Sequence, residues 1–151
     1  MGDNNENKIL TPIELFGVEC GKGWYKLIEP IINYIEEYNQ DKKEEDKIKI
    51  IQIKEKYGGL RIYTSFDTQE LHKMISEAEE KSYRVCEICG SEKYVGCRTN
   101  AWIQTICIDC INKNLNKDSY IQLHEWEDLN TKQVYLISKD NIEQVLQTVK
   151  K

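Results

Sequence analysis

Hydrophobic residues recur with helical spacing early in the chain. From Trp24 onward, apolar side chains recur at i+3, i+4, i+7, i+8, i+11 and i+14, at Leu27, Ile28, Ile31, Ile32, Ile35 and Tyr38. This spacing puts them on one side of an α-helix and predicts a first core helix. Pro30 lies within the stripe, and proline is tolerated in the first turn of a helix but bends it farther along. Because the stripe already begins at Trp24, we favour a kinked or two-part helix over one that begins at Pro30.

Two segments rich in β-branched and aromatic residues follow, over residues 48–57 and 60–66. Gly58 and Gly59 join them, and adjacent glycines provide the positive φ angles of a tight turn, so the pattern predicts a β-hairpin. Alternation gives the hairpin a polar face that carries Lys54, Lys56, Arg61 and Tyr63. A solvated face with cross-strand pairs to Glu55 is favoured there over a binding face.

A second helix is predicted after the hairpin. The run from Asp67 to Glu70 has the form of a capping box at a helix N-terminus. An apolar stripe follows at Leu71, Met74, Ile75, Ala78 and Ser82. Helix, hairpin and helix together predict a small α+β core.

The last part of the chain predicts two strands and a helix. Residues 120–126 and 133–137 have the composition of strands, with a turn near Asn130. Asp140 and Glu143 form another capping box, and the apolar stripe of the helix is Ile142, Val145, Leu146 and Val149. We interpret this part as a C-terminal ββα extension.

Two Cys-x-x-Cys pairs carry the clearest chemical signal, at Cys86 and Cys89 and at Cys107 and Cys110. The pairs are separated by 17 residues, a spacing typical of a four-thiolate zinc site. A glycine-containing knuckle, a short hairpin and a helix that begins at the second pair resemble a treble-clef zinc module. Four protein ligands leave no open position on the ion, so the pattern predicts a structural zinc and not a catalytic one.

The other cysteines and the histidines give weaker signals. Cys20 and Cys97 have no paired thiol, so we interpret both as free or packed thiols. His72 lies on a charged helix face and His124 among apolar neighbours, which favours solvated and structural roles over acid–base catalysis.

Length and composition favour one compact unit of 151 residues. We expect a disordered N-terminus (1–10), an α+β core (11–83), a zinc-binding element (84–116) and the ββα extension packed on the core (117–151). No apolar run reaches the roughly 20 residues that cross a bilayer, and no signal segment begins the chain, so a cytoplasmic protein without membrane contact is expected. In a reducing compartment, paired cysteines indicate a metal rather than disulfides. The net charge of −5 opposes long-range attraction to nucleic acid on average.

The sequence lacks the motifs of common enzyme classes. It has no phosphate-binding or dinucleotide-binding glycine loop, no His-Glu-x-x-His and no Gly-x-Ser-x-Gly. Metal-dependent nucleases of the His-Asn-His class resemble the cysteine region, but they need a histidine in the hairpin as general base. No histidine lies between Cys89 and Cys107. The sequence therefore favours a binding protein over an enzyme.

Several short motifs occur in a distinctive order. Gly23-Trp24 is followed by KEKYGGLRIY at 54–63, AEEKS at 78–82, the knuckle from Cys86 to Gly90, and WIQTIC at 102–107. Over residues 20–112 this order resembles a group of short, largely uncharacterised bacterial and phage proteins. The resemblance implies a bacterial or phage origin and a zinc-binding element. That family often has histidine in place of Cys110, which would also bind zinc, and the resemblance implies no activity.

The leading hypothesis is a zinc-stabilised, non-enzymatic binding protein whose partner is a protein or a small ligand, with phage–host conflict as one setting. Aromatic and arginine side chains are frequent contact residues, and the candidates are Tyr94, Arg98, Trp102, Arg61 and Tyr63. The alternative is a nucleic-acid-binding zinc module, for which the candidate residues are Arg84, Lys93, Arg98 and Lys113, with Tyr94 and Trp102 as stacking groups. An enzyme whose site is assembled from residues scattered along the sequence ranks third.

Overall fold

The computed structural model describes residues 17–100, 102–114, 123–128, 133–135 and 141–149. Helices and small antiparallel sheets are combined, which confirms the predicted α+β class. The expected disorder of residues 1–10, the turn near Asn130 and the cap at Asp140 lie outside the described residues. In chain order the elements are α1 (Tyr25–Asn39), β1 (Ile50–Lys56), β2 (Gly59–Thr64), α2 (Gln69–Ser82), β3 (Val95–Asn100), β4 (Trp102–Cys107), α3 (Ile108–Asn114), β5 (Leu123–Asp128), β6 (Gln133–Tyr135) and α4 (Ile142–Val149).

The first helix has two parts, but they do not meet at the proline. A single 3₁₀ turn, Lys22–Trp24, leads directly into α1, and Pro30 lies inside α1. Pro30 is exposed, so the carbonyl group that it leaves without a helix partner can bond to water. The predicted stripe is buried at Ile28, Ile31, Ile32 and Ile35.

Strands β1 and β2 form the predicted hairpin, but its turn lies one residue earlier than expected. Lys56 pairs with Gly59, and the two turn residues are Tyr57 and Gly58, with φ angles of 52° and 84°. Two positive φ angles are typical of a type I′ turn. Gly59 instead begins β2, and it is a glycine because the ring of Tyr83 occupies the space that a side chain there would need.

Helix α2 begins one residue later than the predicted capping box requires. Thr68 is the N-cap, and its Oγ1 accepts a hydrogen bond from the backbone N–H of Leu71 at 3.0 Å. Asp67 is occupied elsewhere, since its Oδ2 lies 3.0 Å from His72 Nδ1. Threonine is also a favoured N-cap residue, so Thr68 takes the capping role predicted for Asp67 and the helix forms as expected.

Helix α2 covers the outer edge of β2. The Leu60 N–H donates to Ser82 Oγ at 2.9 Å, and the Ile62 N–H donates to Glu79 Oε2 at 3.0 Å. An open strand edge would leave these backbone groups available to another chain. Side chains of α2 therefore close this edge of the hairpin.

The buried apolar residues form two clusters. The first joins the 3₁₀ turn, α1, the hairpin and α2, from Trp24 to Val85. The second begins at Cys86 and joins β3, β4, α3 and α4. Strand order in the larger sheet is β4-β3-β5-β6, all antiparallel. The described C-terminal elements thus attach to the sheet between the cysteine pairs, whereas the sequence predicted that they pack on the α+β core.

Among the described residues, no helix combines the length and the apolar composition that a membrane span requires.

Candidate metal centre

The four paired cysteines converge on one point. Cys86 and Cys89 lie in a turn after α2, Cys107 is the last residue of β4, and Cys110 lies in the first turn of α3. Their four Sγ atoms all lie within 4.8 Å of one another. The Sγ atoms of Cys89 and Cys107 are 3.5 Å apart. The β3–β4 hairpin brings the second pair back to the first.

This arrangement fits a tetrahedral metal ion. With a zinc–sulfur bond of about 2.3 Å, the sulfurs of a tetrahedral site are about 3.8 Å apart. The longest separation here, 4.8 Å, needs a contraction of only about 1 Å to reach that value. Cys86, Cys107 and Cys110 are buried, and Cys89 is exposed. The four cysteines could therefore hold a metal ion with one ligand open to solvent.

Backbone hydrogen bonds shape the first pair into a knuckle. The Gly90 N–H donates to the carbonyl oxygen of Cys86 at 2.9 Å, and the Cys86 N–H donates to the carbonyl oxygen of Ser91 at 2.9 Å. Gly90 has a φ of 82°, a conformation that glycine adopts without steric cost. The glycine after the second thiol thus turns the chain back sharply.

The second pair is fixed by the beginning of α3. The Ile108 N–H donates to the carbonyl oxygen of Tyr94 at 3.1 Å, which ties the helix to the beginning of the β3–β4 hairpin. The Cys110 N–H donates to Cys107 Sγ at 3.4 Å. Cys107 therefore acts as a helix cap as well as a candidate ligand.

The thiols cannot all be ionised without a cation. A hydrogen bond from Cys107, aided by backbone N–H groups of Cys89, Cys107 and Ile88, lowers the pKa of Cys86 to about 4. Donating that hydrogen bond, together with burial, raises the pKa of Cys107 above its ordinary value. Burial raises the pKa of Cys110 to about 12. One thiolate is stabilised and its neighbours are not, which is the behaviour expected of a ligand set that needs a positive ion at its centre.

The segment Gly21 to Trp24 anchors the knuckle to the first core. No motif in the sequence predicted this contact. The Gly23 N–H donates to the Glu87 carbonyl oxygen at 2.7 Å, and the Trp24 Nε1–H donates to the Val85 carbonyl oxygen at 2.8 Å. A side chain at position 23 would collide with the carbonyl group of Cys86. Glycine is needed there because two backbones touch, and a glycine beside a tryptophan was the only signal of this in the sequence.

Glu87, between the first two cysteines, is a second structural residue that the sequence did not reveal. Only 8% of it is exposed, and its Oε2 accepts a hydrogen bond from the Gly21 N–H at 2.9 Å. Burial raises the pKa of its carboxyl group. Its backbone N–H donates to the Thr105 carbonyl oxygen at 3.1 Å. The residue thus joins the knuckle to both the N-terminal segment and β4.

The turn of the β1–β2 hairpin also contacts β4. Thr105 Oγ1 donates to the Gly58 carbonyl oxygen at 2.6 Å, and this hydrogen bond is buried. On the other side of the turn, the Gly58 N–H donates to Glu55 Oε2 at 2.7 Å. Glu55 is therefore occupied by the turn, and the cross-strand ion pairs expected for it do not occur among the described residues.

The remaining cysteines and His72 lie outside the thiol cluster. Cys20 is partly buried against the first core, and burial, followed by the charges of Glu87 and Glu55, raises its pKa to about 12. Burial also raises the pKa of Cys97, in β3. His72 is exposed at the beginning of α2 beside Asp67.

The candidate partner residues are dispersed. Tyr94 is partly buried and packs against the second cluster. Arg61 and Tyr63 lie on the β1–β2 hairpin. The side chains of Arg98 and Trp102 lie outside the described residues.

The other basic candidates are divided as well. Arg84 lies 3.6 Å from Glu80, so its charge is partly offset. Lys93 and Lys113 are exposed.

Comparison with protein-family models, curated proteins and solved structures gave no match. The resemblance to short bacterial and phage proteins stays a prediction.

Proposed function

We propose that the chain is a zinc-stabilised binding protein without catalytic activity of its own. Cys86, Cys89, Cys107 and Cys110 hold a structural zinc in a treble-clef-like element, and the protein acts by contacting a partner. The observation that carries the proposal is the convergence of the four sulfurs within 4.8 Å at a point where two cores meet. Four thiolates complete a tetrahedral shell and leave no position for substrate.

The position of the site supports a structural role. The knuckle donates or accepts hydrogen bonds with the N-terminal segment and with β4. A metal that fixes the knuckle therefore fixes the packing of the first core on the second sheet. Metal binding of this kind contributes directly to folding free energy.

A depression formed by described residues could receive a small ligand, but its geometry argues against one. A surface depression of about 350 Å³ lies at the end of α1, lined by Tyr34, Glu37, Tyr38, Asp41 and Lys42. The Lys42 ammonium lies 4.6 Å from the centroid of the Tyr38 ring and 3.1 Å from Asp41 Oδ1. Lys42 thus occupies the aromatic and acidic contacts of this depression, which does not favour a small ligand there.

Metal content of the purified protein tests the zinc site. We expect about one zinc per chain, as a closed four-thiolate site requires. Cys86→Ser should lose the zinc and lower thermal stability, because serine is a poor zinc ligand and the knuckle loses its support. Cys20→Ser and Cys97→Ser are matched controls that change a thiol outside the cluster, and both should keep the metal.

Two results would contradict the proposal. One is a protein that contains no zinc after expression with added zinc and that does not bind it when reconstituted. The other is a Cys86→Ser variant that keeps zinc with unchanged affinity.

A further inference from the structure

The outer face of the β1–β2 hairpin combines positive charges with exposed tyrosine rings. The strand register puts Ile53, Leu60 and Ile62 on the inner face, where they are at most 5% exposed. Side chains alternate between faces along a strand. The outer face therefore carries Gln52, Lys54, Lys56, Arg61 and Tyr63.

Three positive charges on this face form no ion pair with a described acidic residue. Lys54 and Arg61 are directly opposite each other in the register, and Lys56 follows on the same face. The nearby carboxylates of Glu19 and Glu79 accept hydrogen bonds from the Gln52 side chain and the Ile62 N–H instead. Like charges placed opposite each other on a sheet destabilise it slightly. A local group of three unpaired cations in a chain of net charge −5 indicates an anionic partner.

Three exposed tyrosines lie among the cations. Tyr63 is 40% exposed and Tyr83 is 45% exposed. Tyr83 covers Gly59, and its hydroxyl oxygen accepts a hydrogen bond from Arg61 Nη2 at 2.9 Å. The Lys56 ammonium lies 5.8 Å from the centroid of the Tyr57 ring. The rings of Tyr57 and Tyr83 are thus each beside a positive charge, and Tyr83 is held in place by contacts within the face.

The turn requires a positive φ at position 57 but does not require a tyrosine there. The φ of Tyr57 is 52°, which is unfavourable for a bulky residue, and 72% of it is exposed. Asparagine is the usual residue at this position of a type I′ turn. An exposed aromatic ring that is kept in an unfavourable backbone conformation indicates a contact role.

The surroundings of the hairpin restrict the partner. Its turn is tied to β4 through Thr105, and α2 covers the edge of β2. Glu19 covers the middle of the outer edge of β1 through backbone hydrogen bonds with Ile53 and Glu55. The hairpin is therefore not a free ribbon that could enter the major groove of a duplex, nor an edge that could add a peptide strand. Its outer face is the accessible part.

We infer that this face binds single-stranded nucleic acid. The cations Lys54, Lys56 and Arg61 would contact phosphates, and Tyr57 and Tyr63 would stack on bases, which is how sequence-tolerant single-strand binding is achieved. An acidic protein segment would use the cations but not the rings. The inference rests on the proposed function, since it names the partner of that binding protein. Of the candidate contact residues, it keeps Arg61 and Tyr63 on the hairpin.

The test is fluorescence anisotropy of a labelled single strand of about 16 nucleotides, titrated with the zinc-loaded full chain at low and at roughly 0.2 M salt. Replacing Lys54, Lys56 and Arg61 together by Gln should reduce the slope of log affinity against log salt by about 2, at about 0.7 per phosphate contact. The matched control replaces the exposed Lys26, Lys43 and Lys73 by Gln, which changes the net charge equally and should leave the slope almost unchanged.

The tyrosines separate stacking from charge. Tyr63→Ala should weaken binding between about fivefold and a hundredfold, and Tyr63→Phe should retain it, because the ring stacks. Tyr57→Asn should weaken binding while the unfolding temperature stays the same or rises, since asparagine tolerates a positive φ. That opposite change in binding and stability is not expected of a merely structural residue.

Four results would overturn the inference. They are no binding at low salt, binding that the triple hairpin variant retains, a duplex bound as tightly as the single strand with no effect of Tyr63→Ala, and displacement by polyglutamate with no effect of Tyr63→Ala. The last result would assign the face to an acidic protein. If each chain still holds one zinc, the zinc-stabilised binding protein stands and only the nucleic-acid assignment fails. A chain without zinc refutes the proposed function whatever the anisotropy shows.

Discussion

Replacing Gly23 by alanine should push the 3₁₀ turn Lys22–Trp24 away from the knuckle and so destabilise the protein. Gly23 is buried, and its φ is not in the positive range, so alanine causes no backbone strain of its own. The added methyl group would overlap the Cys86 carbonyl oxygen and lie 2.6 Å from the Glu87 carbonyl carbon. Ordinary contact begins near 3.4 Å, so the two segments must move apart by about 1 Å.

The cost of that movement can be worked out from the hydrogen bonds that it disturbs. The bonds from the Gly23 N–H to Glu87 and from Trp24 Nε1 to Val85 measure 2.7 and 2.8 Å, and both groups on the Gly23 and Trp24 side are buried. Each buried polar group left without a partner costs about 1–3 kcal/mol, so the pair gives roughly 2–6 kcal/mol. This is a large part of the 5–15 kcal/mol that typically stabilises a native protein, on the order of the whole in a marginal case.

Urea unfolding of the zinc-loaded protein, followed by tryptophan fluorescence, measures this effect. With a slope of about 2 kcal/mol/M, Gly23→Ala should lower the midpoint by roughly 1–3 M. Lys22→Ala is the control, because Lys22 is the neighbouring residue of the same turn and is exposed. A Gly23→Ala midpoint equal to that of the unmodified protein would show that the close approach at Cys86 is not needed, and the anchoring argument would fail.

Two further substitutions test the connections around the site. Thr105→Val keeps the side-chain shape but leaves the buried Gly58 carbonyl oxygen without its 2.6 Å hydrogen bond, so thermal unfolding should show a loss of about 1–3 kcal/mol. Thr105→Ser keeps the hydroxyl and should cost no more than about 1 kcal/mol, and a larger loss in Ser than in Val would contradict the role of the hydroxyl. Because burial raises the pKa of Cys20 to about 12, the folded state keeps this thiol protonated while the unfolded chain ionises, so stability should fall as the pH rises above about 9. Cys20→Ser should make that fall shallower in urea midpoints measured between neutral pH and about pH 10, and an identical pH profile would refute the assignment.

The parts that the sequence predicted well depend on local patterns. The stripe of α1 repeats over several turns, so Ile28, Ile31, Ile32 and Ile35 are buried as expected, and Pro30 lies within the continuous helix. The two cysteine pairs could be recognised because ligand spacing is set by turn geometry within a few residues. The sulfurs converge because the strand pairing of β3 and β4 follows directly from the chain between them.

The parts that the sequence did not predict depend on contacts between distant segments. Two adjacent glycines allow either of two turn positions, and the local pattern did not show that Gly59 is needed for its contact with the Tyr83 ring rather than for the turn. Glu87 has the appearance of an exposed residue inside a Cys-x-x-Cys pair, yet it is buried because Gly21 donates a hydrogen bond to it. No local pattern reports which glycine or carboxylate meets a partner from another part of the chain.

Hydrogen bonds through β4 connect the candidate metal centre to the β1–β2 hairpin. Val85 belongs to the first buried cluster and Cys86 to the second, so the chain passes from one core to the other at the knuckle with no linker. The knuckle fixes β4 through Glu87, and β4 fixes the hairpin turn through Thr105. A metal held by the four cysteines therefore acts on the position of Tyr57 and its neighbouring cations through two consecutive hydrogen-bonded contacts. The structural zinc that we propose would thus be connected to binding, because it would hold rigid the surface that we assign to the partner.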